Sequence, residues 1–283
     1  MKSKVTDSTT KISKYIKPFY QQIRYATNSS SRIVAILGCQ RSGTTLLSRV
    51  LDSFTYTRTF GEFSSLSSEC PNNIRLNALS DVKVTLGKVK APLIVMKPLV
   101  ESQNAISLLD TLENITAVWL YRNYLDVALS DLKKFPKTSG RGNLQPILDR
   151  DENNWRSQNV PKELVETVKA VYSDSLTELD CACLFWFVRN SLFFYQGLEK
   201  REDVVLWKYE NLMFEPEKHF SKLSDKLKVD LLDYDFSKTF SKSSIKKESG
   251  TKLNYEVERL CQTLMTKLDA HCASCKFSIS TLP

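Results

Sequence analysis

The stretch RIVAILGCQRSGTTLL, residues 32–47, constrains the fold more than any other part of the chain. An apolar run of strand length enters a turn bounded by glycines and continues as TTLLSRVLDSF, which has a helical pattern. Gly38 and Gly43 permit tight bends and close backbone approach, so successive N–H groups and a helix N-terminus converge on an anion. The spacing is that of a phosphate-binding loop, G-x-x-x-x-G-x-T. Thr44, however, stands where a triphosphate-binding loop carries Lys, and the cation is Arg41 instead.

The strand-then-helix alternation continues downstream. APLIVMK, TAVWLYR and DVVLWKY are further strand candidates, short, rich in Val, Ile and Leu, and bounded by polar or turn residues. Helical segments lie between and after them: NAISLLDTLEN, LDVALSDLKKF, LTELDCACLFWFVRNSLFFYQGLEK and PEKHFSKLSDKL. This order predicts an α/β fold, a single domain with a mostly parallel central sheet flanked by helices. It is a P-loop NTPase-like three-layer sandwich with its ligand at the carboxyl ends of the strands. With 283 residues, 42% of them hydrophobic, the chain can bury one large core. KFPKTSGRGNLQP reads as a mobile loop over the ligand edge, and residues 240–275 as a basic loop followed by one helix.

Residues 1–30 are basic, with Asp7 their one acid, and Ile12, Ile16, Phe19 and Ile23 fall at helical spacing. Two readings stay open: a helix packed on the main domain, or a membrane-surface or transit segment. The net charge of +8 favours an anionic partner, whether nucleic acid, a membrane surface or a small polyanion. CACLFWFVRNSLFFYQ is interrupted by Arg189 and Asn190, so it reads as a buried helix and no stable membrane insertion is expected. Lysines clustered at termini and loops argue against a nucleic-acid partner. Seven irregularly spaced cysteines, with no apolar secretory block at the N-terminus, suggest reduced thiols and a cytoplasmic setting.

A triphosphate enzyme also needs an acid at a neighbouring strand end to hold Mg²⁺. Here that strand ends in Tyr121 and Arg122, which suits a second phosphate rather than a metal. In this combination the chain resembles the sulfotransferases that use 3'-phosphoadenosine 5'-phosphosulfate. Their K/R-S-G-T-T loop matches Arg41, Ser42, Gly43, Thr44 and Thr45, and grips the 5'-phosphosulfate. Their R-N-P-x-D-x-x-x-S strand end matches Arg122, Asn123, Asp126 and Ser130, with Tyr124 in place of Pro, and grips the 3'-phosphate. A later Y-E-D-L then Pro block matches Tyr209, Glu210, Asn211, Leu212 and Pro216, where the Tyr approaches adenine. The three blocks, in residues 38–47, 116–130 and 204–216, occur in the family's order, which implies a sulfotransferase domain over residues 31–283.

The resemblance implies a metal-independent, in-line transfer of a sulfuryl group to a hydroxyl or amine of a small-molecule acceptor. Readings kept beside it are a phosphate-loop kinase or NTPase, and a carbohydrate or protein acceptor. Lys97, matching the family's strand-end Lys, is expected beside Arg41 at the moving group. The His that relatives acting on phenols and steroids place two residues after that Lys is Leu99 here, so the base is expected to be a carboxylate.

Glu62 in TRTFGEFSSL is the first candidate, with a capping role as its alternative, and Glu101 is the second. Desolvation by Phe60 and Phe63 is expected to raise the Glu62 pKa. The aromatic that stacks on adenine in the family is Leu46 here, which leaves Trp155 as a substitute. Lys246, Lys247 and Gly250 echo the segment that closes over the 3'-phosphate, or else form a solvated Lys-rich loop.

Other signals are weaker. Cys39 inside the loop is either a small filler or a thiol made acidic by converging dipoles. Trp186 with Phe185 and Phe187 reads as core, or as an acceptor clamp. His271 with Cys272-x-x-Cys275 is half a zinc site without its other half, and no metal is assigned. Glu62, Glu101, Asp149 and Asp151 are placed at the mouth, where they would suit a cationic acceptor.

Overall fold

The computed structural model describes residues 16–67, 74–240 and 252–274. In chain order its helices and strands begin with α1 (Lys17–Arg24), β1 (Arg32–Gly38), α2 (Thr44–Ser53), β2 (Thr57–Phe60), α3 (Leu79–Gly87) and β3 (Leu93–Met96). A short 3-10 turn, Leu99–Asn104, leads into α4 (Ala105–Thr111), β4 (Ile115–Tyr121), α5 (Tyr124–Lys134), α6 (Arg141–Asp149) and α7 (Lys162–Val171). The chain continues through α8 (Glu178–Tyr195), β5 (Val204–Lys208), α9 (Tyr209–Phe214), α10 (Pro216–Leu227) and α11 (Tyr255–Ser274).

The strands form one five-stranded sheet in the order β2-β3-β1-β4-β5, every neighbouring pair parallel. The α/β architecture read from the sequence is therefore the one observed. From β1 the chain crosses to the far edge, returns to β3 beside β1, and then passes to β4 on the other side. The loops after β1 and β4 consequently open a crevice at the carboxyl ends of the strands.

Both sheet faces are covered. Ile33, Ala35 and Leu37 of β1 enter one core layer with Leu108, Val127, Leu184 and Leu264 from α4, α5, α8 and α11. Val34 and Ile36 enter the other with Leu47 and Leu51 of α2 and Phe220 of α10. A strand buried on both faces gains nothing from polar alternation, which is why β1 and β4 read as unbroken apolar runs. Helix α8 is the buried centrepiece of the first layer; Thr177 and Asp180 close a reciprocal capping box at its start.

The structure departs from the sequence expectation in three places. The edge strand β2, TRTF, went unrecognised because only its two end residues are buried. RGNLQP is not mobile loop: it opens α6, whose Asn143, Leu144, Ile147 and Leu148 are buried. The start of α6 is capped from outside, Arg141 N donating to Glu178 Oε2 of α8 at 2.8 Å, so local composition could not reveal it. Helix α1 does pack on the domain, but through its polar face. Buried Gln21 donates Nε2 to the carbonyls of Thr55 and Thr57, both at 2.8 Å, while Ile16, Phe19 and Ile23 face outward.

Helix α11 ties the two strands on one side of the crevice together. Asp269 accepts from buried Tyr121 Oη at the end of β4, 2.8 Å away, and pairs with Lys208 Nζ at the end of β5, also 2.8 Å. We expect Asp269→Ala to lower stability by about 1–3 kcal/mol, because it strands a buried hydroxyl. Urea unfolding of this variant and of the Tyr121→Phe, Asp269→Ala pair checks the account. The double variant should recover part of the loss, and an unchanged midpoint in Asp269→Ala would refute the tie.

Candidate active site

The loop between β1 and α2 has the backbone of an anion cradle. Gly38, Arg41 and Gly43 adopt φ values of 120°, 67° and 91°. At Gly38 a side chain is impossible, since a Cβ would lie 2.4 Å from the carbonyl oxygen of Leu120 on β4. At Gly43 a Cβ would lie 2.4 Å from the Tyr209 ring. Ser102, which sequence reasoning missed, braces the loop from below: its hydroxyl accepts from Gly38 N at 3.0 Å and donates to the Leu99 carbonyl at 2.7 Å. Ser42 and Thr44 are buried inside the cradle.

The second cluster stands at the end of β4. Arg122 Nη2 donates to Asp126 Oδ2 at 2.8 Å, one turn into α5, and its guanidinium lies 4.4 Å from the centre of the Tyr209 ring. Its arm therefore reaches along the helix, the condition under which Arg122 and Ser130 can serve one ligand. Tyr209 is buried, packed against Gly43 and under Arg122. Asn123 caps α5 by accepting from Leu125 N and Asp126 N. Glu210 Oε1 accepts from Asn123 N at 3.0 Å, and burial pushes the Glu210 carboxyl above its ordinary pKa.

The two clusters meet. Arg41 Nε, from the loop, donates to Ser130 Oγ on α5 at 3.1 Å. On the other side of the loop Lys97, at the end of β3, lies 3.1 Å from Thr45 Oγ1 and 3.1 Å from Glu62 Oε2. Glu62 follows the unrecognised strand β2, which is what brings it to this edge. Phe60 is buried in the core, whereas Phe63 is exposed and does not shelter Glu62.

Several sequence candidates are engaged elsewhere. Buried Glu101 pairs with Arg75 and accepts from Leu76 N at 3.2 Å and Asn104 Nδ2 at 2.7 Å, so it has no lone pair free to act as a base. Asp149 accepts from Gln145 Nε2 at 2.9 Å and Asp151 from Asn153 N at 3.0 Å, and both are exposed. Trp155 is flanked by Arg156 and Arg189, whose guanidinium carbons lie 4.6 Å and 5.3 Å from its ring centre, rather than by the Arg122 cluster. Trp186 is core: fully buried, it donates Nε1 to the Arg122 carbonyl at 3.0 Å. Burial pushes the Cys39 thiol up to about 12, so the loop does not make it acidic. Lys246, Lys247, Gly250 and Cys275 lie outside the described residues.

Three buried polar atoms in these clusters, the donors Ser42 Oγ and Arg122 Nε and the acceptor Glu210 Oε2, have no hydrogen-bond partner among the described residues. Buried donors are ordinarily satisfied, so one in the loop and one at the strand end point to a ligand carrying anionic groups at two positions. The residues present thus fit a nucleotide with two separated phosphate-type groups.

The description "Sulfotransferase domain" matches residues 32–273. No curated protein matches the sequence. Among solved structures, a sulfotransferase from Alicyclobacillus acidocaldarius is similar at 13% identity and a TM-score of 0.51, over 87% of this chain and 95% of its own. The sulfotransferase domain of the Synechococcus PCC 7002 olefin synthase is 15% identical, with a TM-score of 0.48 over 84% of this chain and 96% of its own. A sulfotransferase domain from the curacin biosynthetic pathway is 17% identical, also at 0.48, over 83% and 98%. At such identity the likeness to the first of these speaks to fold alone. The family match covers most of the chain, including every element from the phosphate loop to helix α11, and on that ground this protein belongs to the sulfotransferase family.

Proposed function

We propose that the crevice binds 3'-phosphoadenosine 5'-phosphosulfate and directs its sulfuryl group to a hydroxyl or amine of a small molecule. The observation that carries this reading is the 3.1 Å bond from Arg41 to Ser130, which puts the loop cluster and the strand-end cluster on one crevice. The unpartnered Ser42 Oγ and Arg122 Nε support it.

The donor supplies the activated sulfuryl group. The protein's part is to hold and to polarise. Backbone N–H groups of the loop, with Ser42, Gly43, Thr44 and Thr45, hold the 5' side. Arg122 and Ser130 hold the 3'-phosphate, and Tyr209 keeps the Arg122 guanidinium flat and in place. Lys246 and Lys247 are assigned to close over that phosphate on sequence alone. Lys97 and Arg41 supply fixed positive charge on the leaving side, which is worth most in a site sheltered from water.

Glu62 takes the proton from the acceptor. Its carboxylate is held by Lys97, which also holds Thr45, so base and loop are positioned by one cation. With Glu101 spent on Arg75 and the imidazoles packed against Trp207 and Phe193, Glu62 is the carboxylate best placed for that role. The side chains of Lys97 and Glu62 are only 11% and 24% exposed, a depth that favours a small acceptor over a folded protein.

Thermal shift separates this reading from a kinase or a nucleic-acid binder. Adenosine 3',5'-bisphosphate at a hundredfold excess over its Kd should stabilise the protein by about 2.7 kcal/mol. ATP with Mg²⁺ and a single-stranded oligonucleotide should do far less, and equal stabilisation by either would overturn the assignment.

Two substitutions then divide binding from chemistry. Arg122→Ala should weaken bisphosphate binding by roughly tenfold to a hundredfold, the worth of a charged hydrogen bond. Glu62→Gln should slow turnover by about a hundredfold or more with bisphosphate affinity unaltered. A Glu62→Gln enzyme at full speed would remove Glu62 from the mechanism.

A further inference from the structure

One side of the crevice carries positive charge that the donor reading does not use. Arg156 is partly buried, and burial lowers its pKa. Its Nε donates to Asn143 Oδ1 at 2.8 Å and its guanidinium lies 4.6 Å from the centre of the Trp155 ring, so the group is held in one orientation. Nη1 reaches Asn154 Oδ1 only at 3.5 Å, and Nη2 makes no hydrogen bond with any described residue. Among the described residues no carboxylate forms an ion pair with Arg156.

Its neighbours compensate only in part, Asp131 attracting Arg156 without forming an ion pair with it. Arg189, buried on α8, also lies beside Trp155, and it too has only neutral partners: Gln103 Oε1 at 2.8 Å and the Leu99 carbonyl at 2.9 Å. The nearby acid is Asp131, which already accepts from Gln40 Nε2 at 2.8 Å and Asn143 Nδ2 at 3.0 Å. Burial raises its pKa, so the site disfavours its charge as well. A partly buried guanidinium with no carboxylate in ion-pair contact is unfavourable for the folded protein alone, and a ligand that brings an anion into contact relieves this.

The position of this charge ties it to the reaction centre. Asn143 and Asp131 link Arg156 to Gln40, the residue before Arg41 in the phosphate loop. Arg189 links Trp155 to the backbone of Leu99, just past Lys97. Both cations are thus linked to the two segments that carry Arg41 and Lys97.

Resting on the sulfotransferase reading, we infer that the acceptor bears a carboxylate beside its nucleophilic hydroxyl, and that Arg156 receives it. The open edge of one flat guanidinium matches a carboxylate, while Arg189, buried and bonded to Gln103 and the Leu99 carbonyl, contributes field rather than contact. An acidic acceptor replaces the cationic one that the sequence suggested. The four acids behind that suggestion are paired or hydrogen-bonded within the protein, whereas Arg156 bonds only to neutral groups and forms no ion pair among the described residues.

Isothermal titration of the full chain, with and without adenosine 3',5'-bisphosphate, tests this with lactate, mandelate and salicylate and the methyl ester of each as probes. The acids should bind the wild-type protein about tenfold or more tightly than their esters. Arg156→Gln should abolish that difference and Arg156→Lys should keep part of it, with bisphosphate affinity unchanged in both. Equal binding of acid and ester by the wild type, no binding of any acid, or an acid preference that survives Arg156→Gln would each overturn the proposal. A wild-type protein that prefers acids yet does not bind the bisphosphate would overturn the donor assignment and not this one.

Discussion

The site depends on how closely β1 and β4 approach at their carboxyl ends. Position 38 has no room for a side chain because the Leu120 carbonyl occupies the space. That approach sets the phosphate loop beside the residue that follows β4, Arg122. Tyr209 then fills the gap, touching Gly43 on one side and carrying the Arg122 guanidinium on the other. Three segments far apart in sequence are thereby held at fixed spacing, and Arg41 can reach Ser130 across the crevice. Helix α11 secures the arrangement from behind, since Asp269 binds the last side chain of β4 and the last of β5.

Electrostatics sort the side chains into those the fold has used and those it has left available. Glu101, Asp126 and Asp269 are paired with cations inside the protein and serve to position their neighbours. Arg41, Arg156 and Arg189 form no ion pair among the described residues, and they lie around one crevice. Aligned N–H dipoles of the loop act in the same direction. Under the proposed function the result is a cleft suited to anions, with the carboxylate of Glu62 at its edge. Glu62 itself is restrained by Lys97, which suits a base that must stay in place until an acceptor arrives.

Much of this was legible from residue order. The apolar runs at residues 32–38 and 115–121 read as buried strands because strands covered on both faces need no polar alternation. The helix over 216–227 was legible from its apolar period and from proline at its start. Arg41 to Thr45 could be picked out because a turn that cradles an anion demands small residues, hydroxyls and a cation at short spacing, Arg122 because it closes a strand, and Ser130 only through the family resemblance. Strand β2 and helix α6 were not legible in this way. One is a short edge with mixed burial, and the other depends on a cap from α8.

The sequence by itself determined the α/β class and the strand–turn–helix form around Gly38 and Gly43, since these follow from periodicity and from local backbone requirements. Tertiary structure alone decided which cation each acid meets, Lys97 for Glu62 and Arg75 for Glu101. It also decided that Arg156 and Arg189 share one indole without an ion pair among the described residues, and that the apolar stripe of α1 faces outward. The reason is physical: a charge takes its meaning from the groups within a few ångströms of it, and those groups come from parts of the chain that no local pattern relates.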